Sequence, residues 1–278
     1  MKSENKRAVY LGLLLVASAL SAAAGAAPGE TVEIYSAGSL RAVVGDLARE
    51  AQSRWQVEVK STFGGSGLLR ERIEKGEKPD LLLSADLASP LKLEQQGRTV
   101  LPAIAFARNR MCIVSRRELK VTAGNLIERL LVKGVRIRTS TPVADPSGDY
   151  AWAIFDRIDG LRPGAGAKLK EKAQASMSLP MKPAAPNQSP MAELFNSHQI
   201  DVTITYCSGT PALLKDAPDL VSFEVPAALD PHPLDGMAVL SDRPAVLRLA
   251  LWLLSEKGQA AVAQEGLVPL RQAEPAQK

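Results

Sequence analysis

The sequence predicts an α/β fold, and three observations support this prediction. Strand-like apolar runs alternate with helical periodicity along the chain, which is typical of parallel sheets with crossover helices. About 250 residues follow an N-terminal leader, enough for two α/β domains of ordinary size. Three times, a short apolar strand passes through a Gly/Ser turn directly into an amphipathic helix, at Glu33–Ala48, Val57–Ile73 and Arg136–Phe155.

The leader, residues 1–26, is predicted to be a secretory signal peptide. Basic residues, an apolar run and a stretch of Ala and Gly follow one another at Lys2–Arg7, Ala8–Leu20 and Ala22–Ala27. This order is that of a signal with a small-residue cleavage site. The apolar run is shorter than the roughly 20 residues of a membrane helix, and no Cys that could carry a lipid stands near the site. We therefore expect a soluble periplasmic protein that is not a lipoprotein.

The helices, strands and loops that follow the leader are predicted from apolar spacing and composition. The spacing predicts one apolar face of a first helix, formed by Leu40, Val43, Val44, Leu47, Ala48 and Ala51. Further strands are predicted at Asp80–Ser84, Met111–Val114, Val202–Tyr206 and Gly236–Leu240, and helices at Pro244–Leu254 and Ser255–Ala263. Leu161–Ala167 and Leu179–Pro190 are rich in Pro, Gly and Ala, and they are expected to be long loops.

Composition argues against nucleic acid as a partner. The formal net charge is +4, and the leader contributes part of it, so the exported surface is nearly neutral. Only 4% of residues are aromatic, and the basic residues are scattered. Two cysteines, Cys112 and Cys207, lie in apolar strand-like runs. Exported thiols can pair, but two buried free thiols fit the sequence equally well.

Catalytic signatures are weak. Neither serine-containing turn has the G-x-S-x-G spacing, and Ser89 with Lys92 gives an S-x-x-K match without its companion motifs. The two histidines, His198 and His232, lack a partner at metal-ligand spacing, and no phosphate-binding or dinucleotide fingerprint occurs. We therefore expect no enzyme activity, no bound metal cation and no cofactor.

The strand-to-helix turns favour an anion instead. A helix start carries unpaired N–H groups and a partial positive charge. Ser39, Ser66 and Ser147 each add a hydroxyl at such a start. Each serine taken alone is more often a plain helix cap, because Ser is a preferred capping residue. In open α/β sheets, however, ligands bind beyond the carboxyl ends of the strands, where these turns lie.

Several phrases in the sequence carry a resemblance to a known family. They are YSAGSL, then Phe63–Asp86, Phe106–Val114, Asp145–Ala151, Thr203–Tyr206 and Leu254–Leu270. In this order the chain resembles the molybdate-binding proteins of ABC importers, among the type II periplasmic solute-binding proteins. The resemblance implies two Rossmann-like lobes joined by two crossover segments, with the ligand cleft between them. Lobe 1 is then 29–107 plus 224–278, and lobe 2 is 108–223.

The resemblance also implies a binding site and partners. Carried over by motif, the ligand-binding residues are Ser39, Ser66 and Tyr206 through their hydroxyls and Ser147 and Gln188 through backbone N–H groups. The ligand would be molybdate or tungstate, held without a cofactor. The protein would act as a monomer that delivers its ligand to the permease and ATPase subunits at the inner membrane.

The sequence departs from the family pattern beside Ser147, where Asp145 and Asp149 stand. A carboxylate facing the site would repel a dianion, accept a proton from hydrogen phosphate, or complete a six-coordinate metal centre, as in related tungstate- and molybdate-binding proteins. Alternatively, Asp145 caps the following helix with its side chain turned away. Another oxyanion or small organic anion therefore stays open as the ligand. An exported hydrolase using Ser66 or Ser89, and a sensory subunit for a membrane receptor, stay open as functions.

Overall fold

The computed structural model describes residues 30–180 and 189–270. The predicted signal peptide and Gln188 lie outside these ranges. The strands are β1 (Thr31–Ala37), β2 (Glu58–Gly64), β3 (Leu81–Ser84), β4 (Ile104–Arg108), β5 (Met111–Arg116), β6 (Ile137–Arg138), β7 (Val202–Tyr206), β8 (Leu220–Glu224), β9 (Leu234–Val239) and β10 (Val268–Pro269). The α-helices are α1 (Arg41–Trp55), α2 (Ser66–Glu74), α3 (Ala88–Gln95), α4 (Leu126–Leu131), α5 (Pro146–Leu161), α6 (Ala165–Met177), α7 (Pro190–Asn196), α8 (Thr210–Asp216), α9 (Pro244–Leu254) and α10 (Glu256–Gln264).

The strands form two mixed sheets with helices packed against them. The first sheet has the order β10-β4-β9-β3-β1-β2, and the second has the order β6-β7-β5-β8. The predicted stripe on the first helix is confirmed at Leu40, Val43, Val44, Leu47 and Ala51, which are buried, whereas Ala48 is only half-buried. Each fully buried Leu or Val contributes about 1.5–3 kcal/mol by leaving water, so this stripe is what attaches α1 to the sheet.

The chain passes between the two sheets twice. Residues 109–110 connect β4 to β5, and residues 225–233 connect β8 back to β9. Strands of the first sheet therefore come from 31–108 and 234–269, and those of the second from 111–224. The lobe boundaries given above stay a prediction about which parts of the chain move as units.

The expectation of parallel sheets was wrong in part. Strand β1 pairs in parallel with β2 and β3, and β6 with β7, but β9 is antiparallel to both of its neighbours. Strand β5 is likewise antiparallel to β7 and β8. The return of the chain from the second sheet explains this, because β9 re-enters the first sheet from the opposite end.

The expectation of a long loop at Leu161–Ala167 was also wrong. Helix α5 continues to Leu161, and α6 begins at Ala165, so only three residues separate them. Gly164 makes this turn with a φ of 81°, a value that glycine adopts without the steric cost of a Cβ. The second predicted loop, Leu179–Pro190, lies mostly outside the described residues, although α7 begins at Pro190 as its Ser-Pro start indicates.

The two cysteines form a disulfide. Cys112 lies on β5 and Cys207 directly follows β7, and these two strands are neighbours in the second sheet. The bridge therefore joins two segments 95 residues apart in the chain at the edge of the sheet where Tyr206 stands. Within the described ranges, no helix combines the length and apolar character that a bilayer crossing demands.

Candidate functional site

A cleft of about 180 Å³ opens between the ends of strands from both sheets. Small-molecule pockets usually measure about 300–1,000 Å³, so this cleft suits a ligand of ionic size. Its lining comes from the turns after β1, β2, β3 and β6, from the start of α5 and from β7. The described lining residues are Ala37, Gly38, Ser39, Gly64, Gly65, Ser66, Ala85, Ser140, Asp145, Ser147, Thr205 and Tyr206.

Four of the five predicted site residues line this cleft together, namely Ser39, Ser66, Ser147 and Tyr206. Gln188, the fifth, is outside the described residues. Larger hollows lie elsewhere, including one of about 580 Å³ near Arg116 and His198, but none of the predicted residues lines it. We take the 180 Å³ cleft as the candidate site, because the starts of α2 and α5 meet there and these helices follow strands of different sheets.

Ser66 is the first residue of α2 and is completely buried. Its hydroxyl does not cap the helix; its Oγ accepts a hydrogen bond from the N–H of Ala85 at 3.1 Å. The hydroxyl proton of Ser66 therefore stays available for an acceptor in the cleft. The plain-cap interpretation of Ser66 is wrong, because the turn after β3 supplies its partner instead.

Tyr206 connects the two sheets. Its hydroxyl donates to the carbonyl oxygen of Ala85 at 2.9 Å, and its ring packs edge-on against Tyr150 with centroids 6.2 Å apart. Burial raises the pKa of Tyr206 well above the usual value, and the charge of Asp235 raises it further. The residue is thus a neutral donor, and in this arrangement its proton is engaged by Ala85.

Asp145 occupies the cap position of α5. Its Oδ1 accepts the backbone N–H of Ser147 at 3.0 Å, so the capping role is confirmed, but Asp145 also lines the cleft, which gives no support to a side chain turned away from the site. That N–H was expected to donate to a ligand, and here a carboxylate engages it. The Ser147 hydroxyl behaves differently, because its oxygen is buried without a hydrogen-bond partner among the described residues. The group that Ser147 offers to the cleft is therefore its hydroxyl.

The turn before α5 rests directly on the start of α2. A Cβ on Gly65 would lie 2.3 Å from the Ala144 carbonyl oxygen, and a Cβ on Gly67 would lie 1.7 Å from that of Val143. Only glycine permits this approach of two backbones. Val143 has a φ of 70°, which is strained for a β-branched residue, and its N–H donates to Asp149 Oδ1 at 2.9 Å.

Three glycines line the cleft beside the serines. Gly38, Gly64 and Gly65 are not among the positive-φ residues, so turn conformation does not require glycine at these positions. Gly65 instead admits the Ala144 carbonyl from the second-sheet side. Glycine is therefore required at position 65 by a contact between distant parts of the chain, and not by the conformation of its own turn.

The electrostatics of the cleft are unusual for an anion site. None of the described lining residues is basic, and Asp145 is acidic. Burial raises the pKa of Asp145, as does the charge of Asp86, against the lowering effect of the hydrogen bonds from Ser147 and Ser140. Burial likewise raises the pKa of Asp149. The described residues contain no group of three or more His, Cys, Asp and Glu suited to a metal cation.

Two polar lining residues were missed by sequence reasoning. Ser140 follows β6, and Thr205 precedes Tyr206 on β7. The turn rule that selected Ser147 also covers Ser140, because both lie in the same strand-to-helix connection. Thr205 carried no such signal, since side chains on a strand alternate between faces and the sequence does not say which face meets the cleft.

Ser89 and Lys92, the residues of the S-x-x-K match, contact different acidic residues. Ser89 is buried, and its hydroxyl donates to Asp86 Oδ2 at 3.2 Å. Lys92 Nζ lies 3.8 Å from Glu74 Oε1. A nucleophile and its base must be within hydrogen-bond reach of each other. These contacts give the hydrolase alternative no support at Ser89.

Comparisons with known proteins agree on the fold. The family profile described as "Bacterial extracellular solute-binding protein" matches residues 32–268. An uncharacterized protein of Pasteurella multocida, PM1146, is 34% identical over 197 residues, which cover 70% of this chain and 81% of that protein.

Solved structures with the same fold include two oxyanion-binding proteins. The periplasmic molybdate-binding protein of Azotobacter vinelandii superposes with a TM-score of 0.65 at 20% identity, covering 87% of this chain and 100% of that one. The sulfate-binding protein SubI of Mycobacterium tuberculosis superposes with a TM-score of 0.67 at 16% identity, covering 87% of each chain. The architecture is therefore that of the type II periplasmic binding proteins, as predicted.

Proposed function

The chain belongs to the bacterial extracellular solute-binding proteins, and from this premise we propose that it captures molybdate, and tungstate with it, for import. Solute-binding proteins of this kind deliver their ligand to the permease and ATPase components of an ABC transporter. The ligand binds in the 180 Å³ cleft, between Ser39 and Ser66 on one side and Ser147 and Tyr206 on the other.

The observation that carries this proposal is the buried hydroxyl of Ser147, which has no hydrogen-bond partner among the described residues and belongs to a residue that lines the cleft. A buried hydroxyl without a hydrogen bond costs about 1–3 kcal/mol, and for a residue that lines a cleft a bound ligand can supply the partner. Its position in a cleft lined by three more serines suits an acceptor with several oxygens. A tetrahedral oxyanion offers four.

The energetics are consistent with tight but reversible binding. A hydrogen bond to a charged acceptor contributes about 1.5–3 kcal/mol net. Several such bonds, less the cost of removing water from the anion and ordering the two halves, reach the roughly −8 kcal/mol of micromolar affinity. Because the donors are neutral, the anion is released without separating an ion pair.

Calorimetric titration of the protein lacking residues 1–26 with molybdate, tungstate, sulfate and phosphate tests the proposal. We expect heat with molybdate and tungstate at micromolar or tighter affinity. Heat with sulfate or phosphate alone would overturn the choice of ligand and leave the fold untouched. A serine-reactive fluorophosphonate probe serves as a parallel test, and labelling of Ser66 or Ser89 would support the hydrolase alternative.

A second candidate ligand is favoured by one observation, the presence of Asp145 in the lining. A carboxylate beside the donors accepts a hydrogen bond from a ligand that carries a proton or a hydroxyl group. Hydrogen phosphate and small hydroxylated organic anions have this property, whereas molybdate at neutral pH does not. In this alternative, phosphate gives the larger heat, and replacing Asp145 by Asn weakens its binding.

A further inference from the structure

Asp235 is a buried carboxylate that the proposed ligand site does not use. It lies on β9, is fully buried, and neither of its oxygens has a hydrogen-bond partner among the described residues. Such burial is very unfavourable for an ionised carboxylate, which normally changes its protonation state instead.

The sheet register places Asp235 beside the cleft. Strands β3 and β9 pair antiparallel, with Ser84 opposite Gly236. The next residues beyond this last pair are Ala85 and Asp235, so the two lie at the same end of the paired strands. Ala85 lines the cleft, its N–H donates to Ser66 Oγ, and its carbonyl oxygen accepts from Tyr206. Asp235 is thus next to the residue on which both sides of the site converge.

The groups around Asp235 are acidic or phenolic. Asp86 follows β3, and its charge raises the pKa of Asp235. From the second-sheet side, Tyr150 accepts the N–H of Leu234 at 3.4 Å. Burial is the main reason why the pKa values of Tyr150 and Tyr206 are raised, and the charge of Asp235 raises both further. Asp149 on α5 also raises the pKa of Tyr150, and Asp145, the cap of α5, that of Tyr206.

The charged residues on the other elements packed against β9 are engaged elsewhere or face solvent. On α3, Lys92 lies near Glu74, and Glu94 accepts the N–H of Ala103. Arg248 on α9 lies over the ring of Trp55, and Arg108 on β4 is exposed. None of these cations shifts the pKa of Asp235. Burial first, and Asp86 second, raise that pKa to about 7.

We propose that Asp235 is a proton-binding site coupled to the cleft, so that the protein takes up its anion together with a proton. This inference rests on the proposed function. A doubly charged anion beside Ala85 repels an ionised Asp235 and therefore favours its protonated form. Because coupling between two sites is reciprocal, a proton on Asp235 tightens anion binding by the same factor.

Molybdate titrations between pH 6 and 8.5 test the coupling, because molybdate stays a dianion across this range. For the wild type we expect the Kd to rise with pH, by at most about tenfold per pH unit for one coupled proton. Titration in two buffers of different ionisation enthalpy should show uptake of up to one proton per anion. Asp235→Asn, which is neutral at every pH, should bind molybdate with a Kd that no longer changes with pH. Asp242→Asn, an exposed aspartate, is the matched control and should behave as the wild type.

The ligand-free protein gives an independent measurement. With a folded pKa of about 7 against an ordinary value near 3.9, the proton on Asp235 stabilises the fold fully below pH 4. This stabilisation is lost as pH rises through 7, so the free energy of unfolding should fall over pH 4–7 in the wild type. In Asp235→Asn this fall should be smaller.

The results of these titrations distinguish failure of the proton coupling from failure of the proposed function. A molybdate Kd that is constant from pH 6 to 8.5, with no proton uptake, would overturn the coupling and leave the proposed function standing. If no anion binds at any pH, both fail. A Kd that depends equally on pH in Asp235→Asn would assign the proton elsewhere and overturn the inference. Should that variant not fold, absence of proton uptake by the wild type would overturn the inference, as would uptake that disappears in Asp145→Asn, and uptake that persists in Asp145→Asn would support it.

Discussion

At the scale of single residues, the two buried serines of the cleft differ in a way that matters for function. Ser66 Oγ has a protein partner in the N–H of Ala85, whereas Ser147 Oγ has none among the described residues. A native fold retains an unsatisfied hydroxyl only where something outweighs its cost. A substitution at Ser147 should therefore change the affinity for the ligand with little effect on the stability of the fold.

We predict that Ser147→Ala weakens molybdate binding by about 1.5–3 kcal/mol, which is the contribution of a hydrogen bond to a charged acceptor. The fold should not lose stability, because the hydroxyl removed makes no bond within the described protein. Calorimetry gives the affinity, and denaturant unfolding without ligand gives the stability.

Ser115→Ala is the matched control for this variant. Ser115 also has a buried hydroxyl without a described partner, but it lies on β5 and is not among the described lining residues of the cleft. Its loss should affect stability as Ser147→Ala does and leave the affinity unchanged. Equal affinity in the two variants would mean that Ser147 does not bind the ligand.

Asp145 combines a structural role with an electrostatic one. Asparagine also caps helices well, so Asp145→Asn should retain the bond to the Ser147 N–H and change stability by less than about 1 kcal/mol. Removing the carboxylate should tighten the binding of a dianion such as molybdate. Weaker binding of the preferred anion in this variant would instead show that the carboxylate contacts the ligand, as the second candidate requires.

At the scale of elements, the contact between the start of α2 and the turn before α5 joins the two sides of the cleft. Gly67→Ala should disturb it, because its Cβ would lie 1.7 Å from the Val143 carbonyl oxygen. We expect a loss of about 1–3 kcal/mol in stability, as for other overpacked sites, together with weaker anion binding.

Gly45→Ala tests whether the losses expected for Gly67→Ala come from the contact with Val143 or from replacing any helical glycine by alanine. Gly45 lies within α1, where a Cβ meets only the Arg49 guanidinium at 3.9 Å. Alanine there should raise stability by about 0.5–1 kcal/mol and leave binding unchanged. Similar results for both variants, measured by thermal unfolding and calorimetry, would contradict the assigned role of Gly67.

At the scale of the whole molecule, the Tyr206–Ala85 hydrogen bond ties the second sheet to the first. Tyr206→Phe retains the ring that packs on Tyr150 and removes only this bond, worth about 0.5–1.5 kcal/mol. We expect the ligand-free variant to sample more open forms, seen as a larger radius of gyration in small-angle X-ray scattering.

Tyr35→Phe is the comparison for this prediction. The Tyr35 hydroxyl contacts Glu77, and both residues belong to the first-sheet side of the molecule. Its removal should leave the radius of gyration unchanged. If Tyr206→Phe scatters as the wild type does, the hydroxyl of Tyr206 does not hold the two halves together.

Much of this architecture could be predicted from local patterns. The apolar spacing from Leu40 to Ala51 identified the first helix, and the apolar run at Val202–Tyr206 identified β7 with the same bounds. The strand-to-helix turns pointed to Ser39, Ser66 and Ser147 because helix starts have unpaired donors, and all three residues line one cleft. Periodicity and turn chemistry involve residues close in sequence, so a single chain reveals them.

By itself, the sequence determined the α/β class, the order of most elements and the turns that carry the candidate site. The tertiary structure alone decided the pairing of Cys112 with Cys207, the antiparallel insertion of β9, the Tyr206–Ala85 bond and the burial of Asp235 with no hydrogen-bond partner in the part of the chain that the structure describes. Each of these depends on which distant segments meet. Burial and hydrogen-bond partners are properties of such contacts, and local patterns do not specify them.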